Sequence, residues 1–208
     1  MKLTNNAALI SISSALRILP VIILLLISQY SFSQVSFASR SSQSEIKVKG
    51  TSNLHDWTMK GNTLTCDAQF TVQSAAVNKL LSLNGLSFSV PVKNLKSGES
   101  LLDSRAYKAM KADKYSQVSF KMSSAVVTPL NNNQYQIKAT GQLSISGVTK
   151  EVTLLANGTI NTDRSMNISG SKKIKMSDFG IKPPSFMLGA LKTGDEVTID
   201  FNLKFKGN

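Results

Sequence analysis

The sequence predicts an all-β protein, a single antiparallel barrel or sandwich of about eight strands with one short helix. Three observations predict it. The last stretch alternates Val197, Ile199, Phe201, Leu203 and Phe205 with Thr198, Asp200, Asn202 and Lys204, giving a strand with one apolar and one wet face. The same period recurs along most of the chain, and only one stretch breaks it with helical spacing. Short turn signals separate the runs, and no repeat of 20–50 residues appears. Meandering strands of this kind bury their apolar rows against each other. A closed barrel of eight is the size whose interior either fills with side chains or holds one small ligand.

The N-terminus stands apart. Residues 18–27 (ILPVIILLLI) are apolar throughout, and their length is roughly half of what a bilayer crossing needs. Small residues follow at Ser31 and Ser33, and again at Ser36 and Ala38. Residues 1–33 therefore read as a secretory signal peptide cut after Ser33, with a second site after Ala38 and an uncleaved anchor as the alternative. Residues 34–43 (QVSFASRSSQ) are serine-rich and are expected to be a flexible leader, which leaves 44–208 as the folded domain.

Along that domain, Ile46 and Val48 open the first strand and Gly50–Asn53 break it, with a turn expected at Leu54–Trp57. Leu64, Cys66, Ala68, Phe70 and Val72 form the inward row of the second. Asn84-Gly85 marks a turn or bulge before Leu86, Phe88, Val90 and Val92. In residues 100–110, Leu102, Ala106 and Met110 recur at helical spacing, and Ser100 with Asp103 approximates a capping box. A short helix is expected there, on the outside or across one end of the sheet. Val118, Phe120 and Met122 resume the strands, and Ala125 and Val127 extend that one or begin another. Tyr135 to Ile145 is the longest alternating row, Ser146-Gly147 a hairpin turn, and Val152, Leu154 and Ala156 run back from it. Asn157-Gly158 is a further turn signal. Ile168, Ile174 and Met176 mark the penultimate strand, with Gly170 and Lys172 in register between the first two, and a long connection, 178–194, leads to the last.

Composition narrows the function. Lys2 and Arg17 are the only charges in residues 1–33, so the net +12 of the chain falls to +10 without them. A basic balance suits nucleic acid, an anionic membrane surface or plain solubility. The lysines are scattered over wet strand positions (Lys47, Lys49, Lys173, Lys175, Lys204) with no nucleic-acid-reading motif, so nucleic acid is not expected and transient membrane contact stays open. One Trp and four Tyr are too few for the aromatic girdles of an outer-membrane barrel. Cys66 is the sole cysteine, and on an apolar row it reads as a small buried thiol. One His and one Cys cannot build a zinc site from these ligand types, and no phosphate-binding glycine loop is present. His55-Asp56-Trp57 lacks catalytic partners, so no enzyme activity is expected. A structural turn is preferred there, with Asp56 bonding free backbone N–H groups, and a head-group contact is the alternative.

Four segments carry a resemblance: GTSNLHDW (50–57), LLDSRAYKAMKADKYSQVSFKM (101–122), GQLSISGVTKEVTL (141–154) and SDFGIKPPSFMLGALKTGDEVTIDFNLKF (177–205). Together they resemble the YceI-like family of exported lipid-binding proteins, in the branch with the GTSNLHDW motif, from about residue 44 to the end. Tyr115-Ser116, Ser144 and Glu151 depart from the family's Tyr-Pro, threonine and proline. The resemblance implies an eight-stranded antiparallel lipocalin-like barrel with one short helix, exported to the periplasm and holding a long isoprenoid or related lipid for transport or storage. No cofactor is implied besides that lipid.

The inward rows supply candidate ligand-binding residues Phe88, Val90, Phe120, Met122, Ile137, Leu143, Ile145, Ile199, Phe201 and Leu203. Cys66, Ala68, Ala139, Gly141 and Ala156 are small and would leave space. Periodicity alone leaves a cavity and a filled core equally open; the resemblance favours the cavity. Phe179 and Phe186 join the candidates from the 178–194 connection, which either closes over the barrel mouth or packs on its outside. A structural or adhesion barrel with a filled core is the alternative function.

Overall fold

The computed structural model describes residues 33–39, 43–73, 79–163, 165–186 and 190–207. All of the signal peptide expected over residues 1–33 except Ser33 lies outside them. Eleven strands follow in chain order: β1 (Ser33–Ser39), β2 (Glu45–Ser52), β3 (Trp57–Gly61), β4 (Thr65–Gln73), β5 (Lys79–Pro91), β6 (Gln117–Pro129), β7 (Gln134–Ile145), β8 (Val148–Ile160), β9 (Met166–Lys175), β10 (Ser185–Phe186) and β11 (Leu191–Gly207). Among the described residues, helix α1 (Ser100–Ala109) and the 3₁₀ turns Val92–Asn94 and Met176–Phe179 accompany the strands.

All pairings are antiparallel, in the order β1-β4-β5-β6-β7-β8-β9-β11-β2-β3, with β10 on β11. β1 pairs with β4 over Ser33–Ala38 and with β11 over Phe37–Ser39, so the hydrogen-bonded path returns to its start and the sheet curls around its core. Below β1 on the same flank of β11 runs β2, which pairs Glu45–Ser52 with residues 193–202.

The strand count corrects the expected eight, and β1, β3 and β10 are the additions. β1 falls in the stretch expected to be a flexible leader. Its serines hid a short alternation with Val35 and Phe37, and pairing covers what would otherwise be open edges of β4 and β11. β3 begins at Trp57, where a turn was expected, because Trp57, Met59 and Gly61 pair with Gly50, Val48 and Ile46. Asn157-Gly158 is not a turn either. Both residues lie inside β8, where a side chain on Gly158 would meet Ile137 Cδ1 at 2.8 Å. Asn84 is a bulge within β5, since Gln69 and Phe70 pair with Gly85 and Leu83 and skip it. Ala125 and Val127 extend β6 past a second irregularity at Ser123.

α1 is anchored differently from the expected capping box. Its N-cap residue is Glu99, without a side-chain cap bond. Asp103 instead accepts the backbone N–H of Ser97 at 2.8 Å and the Ser97 hydroxyl at 2.7 Å. The Tyr107 hydroxyl bonds the carbonyls of Lys93 and Leu95, and Ser146 Oγ donates to the Met110 carbonyl at 2.9 Å. The helix is thus tied at several points to the strand-end turns around it.

Candidate ligand-binding site

The interior has a filled half and a hollow half. In the filled half Phe70, Ile137, Met166, Ile168, Leu203 and Phe205 are essentially inaccessible to solvent. Phe70 meets Phe205 edge to face, centroids 5.6 Å apart. No small residue expected to leave space does so. Cys66, Ala68, Ala139 and Ala156 are buried in the packed core, and the room over Gly141 is taken by the Phe120 ring, whose Cζ would stand 2.8 Å from a side-chain carbon there.

The hollow half is an apolar cavity of about 330 Å³ where α1 and the surrounding turns stand off from the sheet. Ile46 and Val48 of β2, Phe88 and Val90 of β5, Val118 of β6, Leu143 and Ile145 of β7, Ile174 of β9, and Val197 and Ile199 of β11 form its inner wall. Leu102, Arg105, Ala106 and Ala109 of α1, with its C-cap residue Met110, form another wall together with Trp57 and Met59 of β3. Phe179 and Ile181 contribute from the 178–194 connection, with Met176 just before it, so that part of the connection packs inward: Phe179 and Ile181 are buried.

Six of the candidate residues line this cavity: Phe88, Val90, Leu143, Ile145, Phe179 and Ile199. Phe120, Ile137, Phe201 and Leu203 are buried away from it. Phe120 stacks on Phe88 at 5.5 Å, and the Phe201 ring lies over Gly170. Met122 is half-buried beside the core, also outside the cavity. The side chain of Phe186 lies outside the described residues. The α1 wall was absent from the candidate residues, although the Leu102, Ala106, Met110 spacing already marked its apolar stripe.

The polar side chains of the lining, Ser52, His55, Glu99, Arg105, Lys192 and Thr193, are all exposed or half-buried, so they sit where the cavity reaches solvent. Ser52, rather than Asp56, organises the turn: its Oγ accepts the N–H groups of Leu54 and His55 at 3.2 and 3.1 Å and donates to the His55 carbonyl at 2.7 Å. Asn53 clamps this turn to the start of β11, donating to the Ala190 carbonyl and accepting the Lys192 N–H at 2.9 Å. His55 is exposed, and its Nδ1–H donates to the Asp56 carbonyl at 2.8 Å. Asp195 accepts the hydroxyl and N–H of Ser177, bracing the 3₁₀ turn that carries Phe179. Those hydrogen bonds hold the Asp195 carboxyl below the usual carboxylate range. Burial, with the Asp67 charge adding to it, pushes the Cys66 thiol up to about 12. Among the described residues no three His, Cys, Asp or Glu side chains gather to hold a metal.

The sequence model of the YceI-like domain matches residues 31–205. The chain belongs to the YceI-like domain family. This YceI-like chain is similar in structure to BcnA of Burkholderia cenocepacia, with a TM-score of 0.62 and 19% identity over 80% of this chain and 98% of that one. It is also similar to a polyisoprenoid binding domain from Saccharophagus degradans implicated in plant cell wall breakdown, with a TM-score of 0.62 and 12% identity over 84% and 99% of the two chains. At these identities the likeness of the YceI-like chain to both speaks for a shared fold. Among curated proteins none matches it.

Proposed function

We propose that this protein binds the apolar tail of an isoprenoid or related lipid in the cavity between α1 and the curled sheet, as a carrier or store in the periplasm. It does so without catalysing a reaction, through a lipocalin-like barrel of the family branch marked by Gly50–Trp57. The observation that carries the reading is the cavity: about 330 Å³, walled by aliphatic and aromatic side chains, with polar groups only where it meets solvent. That volume is at the small end of ligand pockets, and roughly twice that of an engineered apolar cavity of about 150 Å³ that takes up benzene. On that scale it holds roughly a dozen carbons, and a longer tail continues out past Leu54 and Leu101. Burial of the tail supplies the driving force, since apolar surface leaves water on both partners. The polyisoprenoid binding named for the Saccharophagus degradans domain points to the same ligand class. A barrel with a wholly filled core, serving structure or adhesion, has only the packed half around Phe70 and Phe205 in its favour.

Organic extraction of the purified protein followed by mass spectrometry tests the proposal. A co-purifying prenyl or other long-chain lipid, near one per chain, is the expected result. A clean extract, with no uptake from added lipid, would overturn it.

A further inference from the structure

The rim of the cavity carries two large apolar side chains that the fold leaves in water. Leu54, in the turn between β2 and β3, is 68% exposed, and Leu101, in the first turn of α1, is 61% exposed. Each also lines the cavity, so together they mark where its wall becomes outer surface. Isolated exposed leucines are ordinary on a protein surface. Here two stand on separate elements at one opening, and cations accompany them. Arg105 and Lys108 follow Leu101 at spacings of four and seven, which places all three along one helix stripe. Lys192 lies at the same opening. The acids in these elements are Glu99, Asp56 and four that are already engaged: Asp103 accepts from Ser97, Asp195 from Ser177, Glu196 from Lys173, and Asp200 pairs with Lys49. The rim is therefore basic, in a chain of net charge +12.

We infer that this rim docks on an anionic lipid bilayer, Leu54 and Leu101 entering the headgroup layer while Arg105, Lys108 and Lys192 meet lipid phosphates. Basic side chains beside exposed leucines are the combination that holds proteins at anionic membrane interfaces. Docking in this orientation sets the cavity mouth against the bilayer, so a tail passes between membrane and protein without crossing water. The inference takes its purpose from the carrier reading but is measured independently of it.

The test is co-sedimentation of the full chain with vesicles of equal parts phosphatidylglycerol and phosphatidylcholine, against phosphatidylcholine alone. Three proteins are compared: the parent, Leu54→Ser/Leu101→Ser, and Val126→Ser/Leu155→Ser. The last pair changes two comparably exposed apolar residues on the outer face of β6 and β8. All three share one N-terminus, so differences between them read the rim. The parent and the Val126/Leu155 variant should bind the anionic vesicles, more weakly in high salt, and the Leu54/Leu101 variant at least tenfold less. Equal binding by all three, or an equal loss in both variants, would overturn the inference. A protein that yields lipid on extraction yet ignores the vesicles refutes docking alone; one that docks but yields no lipid refutes the carrier reading alone.

Discussion

The indole of Trp57 lies across Gly50, its directly paired neighbour on β2, so closely that a Cβ on residue 50 would stand 2.6 Å from Cε2 of the ring. Trp57 Nε1 donates to the Thr51 carbonyl at 3.2 Å, which fixes the ring in that position as part of the cavity wall. Gly50 is thus the residue that lets an indole face the cavity.

Gly50→Ala should therefore displace the ring. Overpacking of this kind costs about 1–3 kcal/mol, and the shift should appear in the denaturation midpoint. Because Trp57 is the only tryptophan, its emission reports the displacement directly. A variant with unchanged midpoint and emission would mean that the ring has room to move elsewhere.

The two halves of the interior should respond oppositely to substitution. Leu203→Ala, in the filled half, leaves a void and should lower stability by about 2–5 kcal/mol, with the bound lipid unchanged. Ala109→Phe, in the α1 wall, should fill part of the hollow: the lipid recovered on extraction drops severalfold, while the lipid-free protein melts no lower. Loss of lipid from Leu203→Ala at full stability would place the binding space in the wrong half.

Acid should loosen the braces around the site. Asp195 is held low by the hydroxyl and N–H of Ser177, and Asp200 by hydrogen bonds from Lys49 and Ser171. For Asp103 burial pushes upward, but the Ser97 N–H, the Ser97 hydroxyl and the Lys96 charge together outweigh it, and the carboxyl ends below its ordinary 3.8. A carboxyl lowered in the folded state contributes stability above its unfolded pKa and loses it as pH falls through the folded one. Melting temperature should be level between about pH 5 and 8 on this account and decline as pH drops through the ordinary carboxylate value of about 4 and below. Asp195→Asn should be less stable than the parent at neutral pH, and the gap should close at the acid end. A gap independent of pH would show that the Ser177 brace does not depend on charge.

The long alternating row from Tyr135 to Ile145 was readable because one face is buried along its whole length. The end of that strand was equally clear, since Ser146 and Gly147 both adopt positive φ as a two-residue hairpin turn requires. Strand β1 was not readable, because Ser33, Ser36 and Ser39 leave only a short apolar alternation and the strand is held by pairing with β4 and β11. The site was half legible. Alternation says which residues face inward, as for Phe88 and Ile145, but not at what height along the barrel a side chain ends. Ile137 and Leu203 share that inward face but lie in the packed core, away from the cavity. Glycine misled for a related reason: Gly141 read as a gap, whereas the space beside it is occupied by the Phe120 ring from the neighbouring strand.

The claim that a lipid tail occupies the hollow beside α1 is tested most directly through Trp57, since it lines that hollow. Titration with an isoprenoid chain brominated across its double bonds should quench Trp57 emission saturably, near one chain per protein, while the unbrominated chain does not quench. Emission that stays constant while the same chain demonstrably binds would put the ligand elsewhere, and emission that stays constant because nothing binds would end the carrier account.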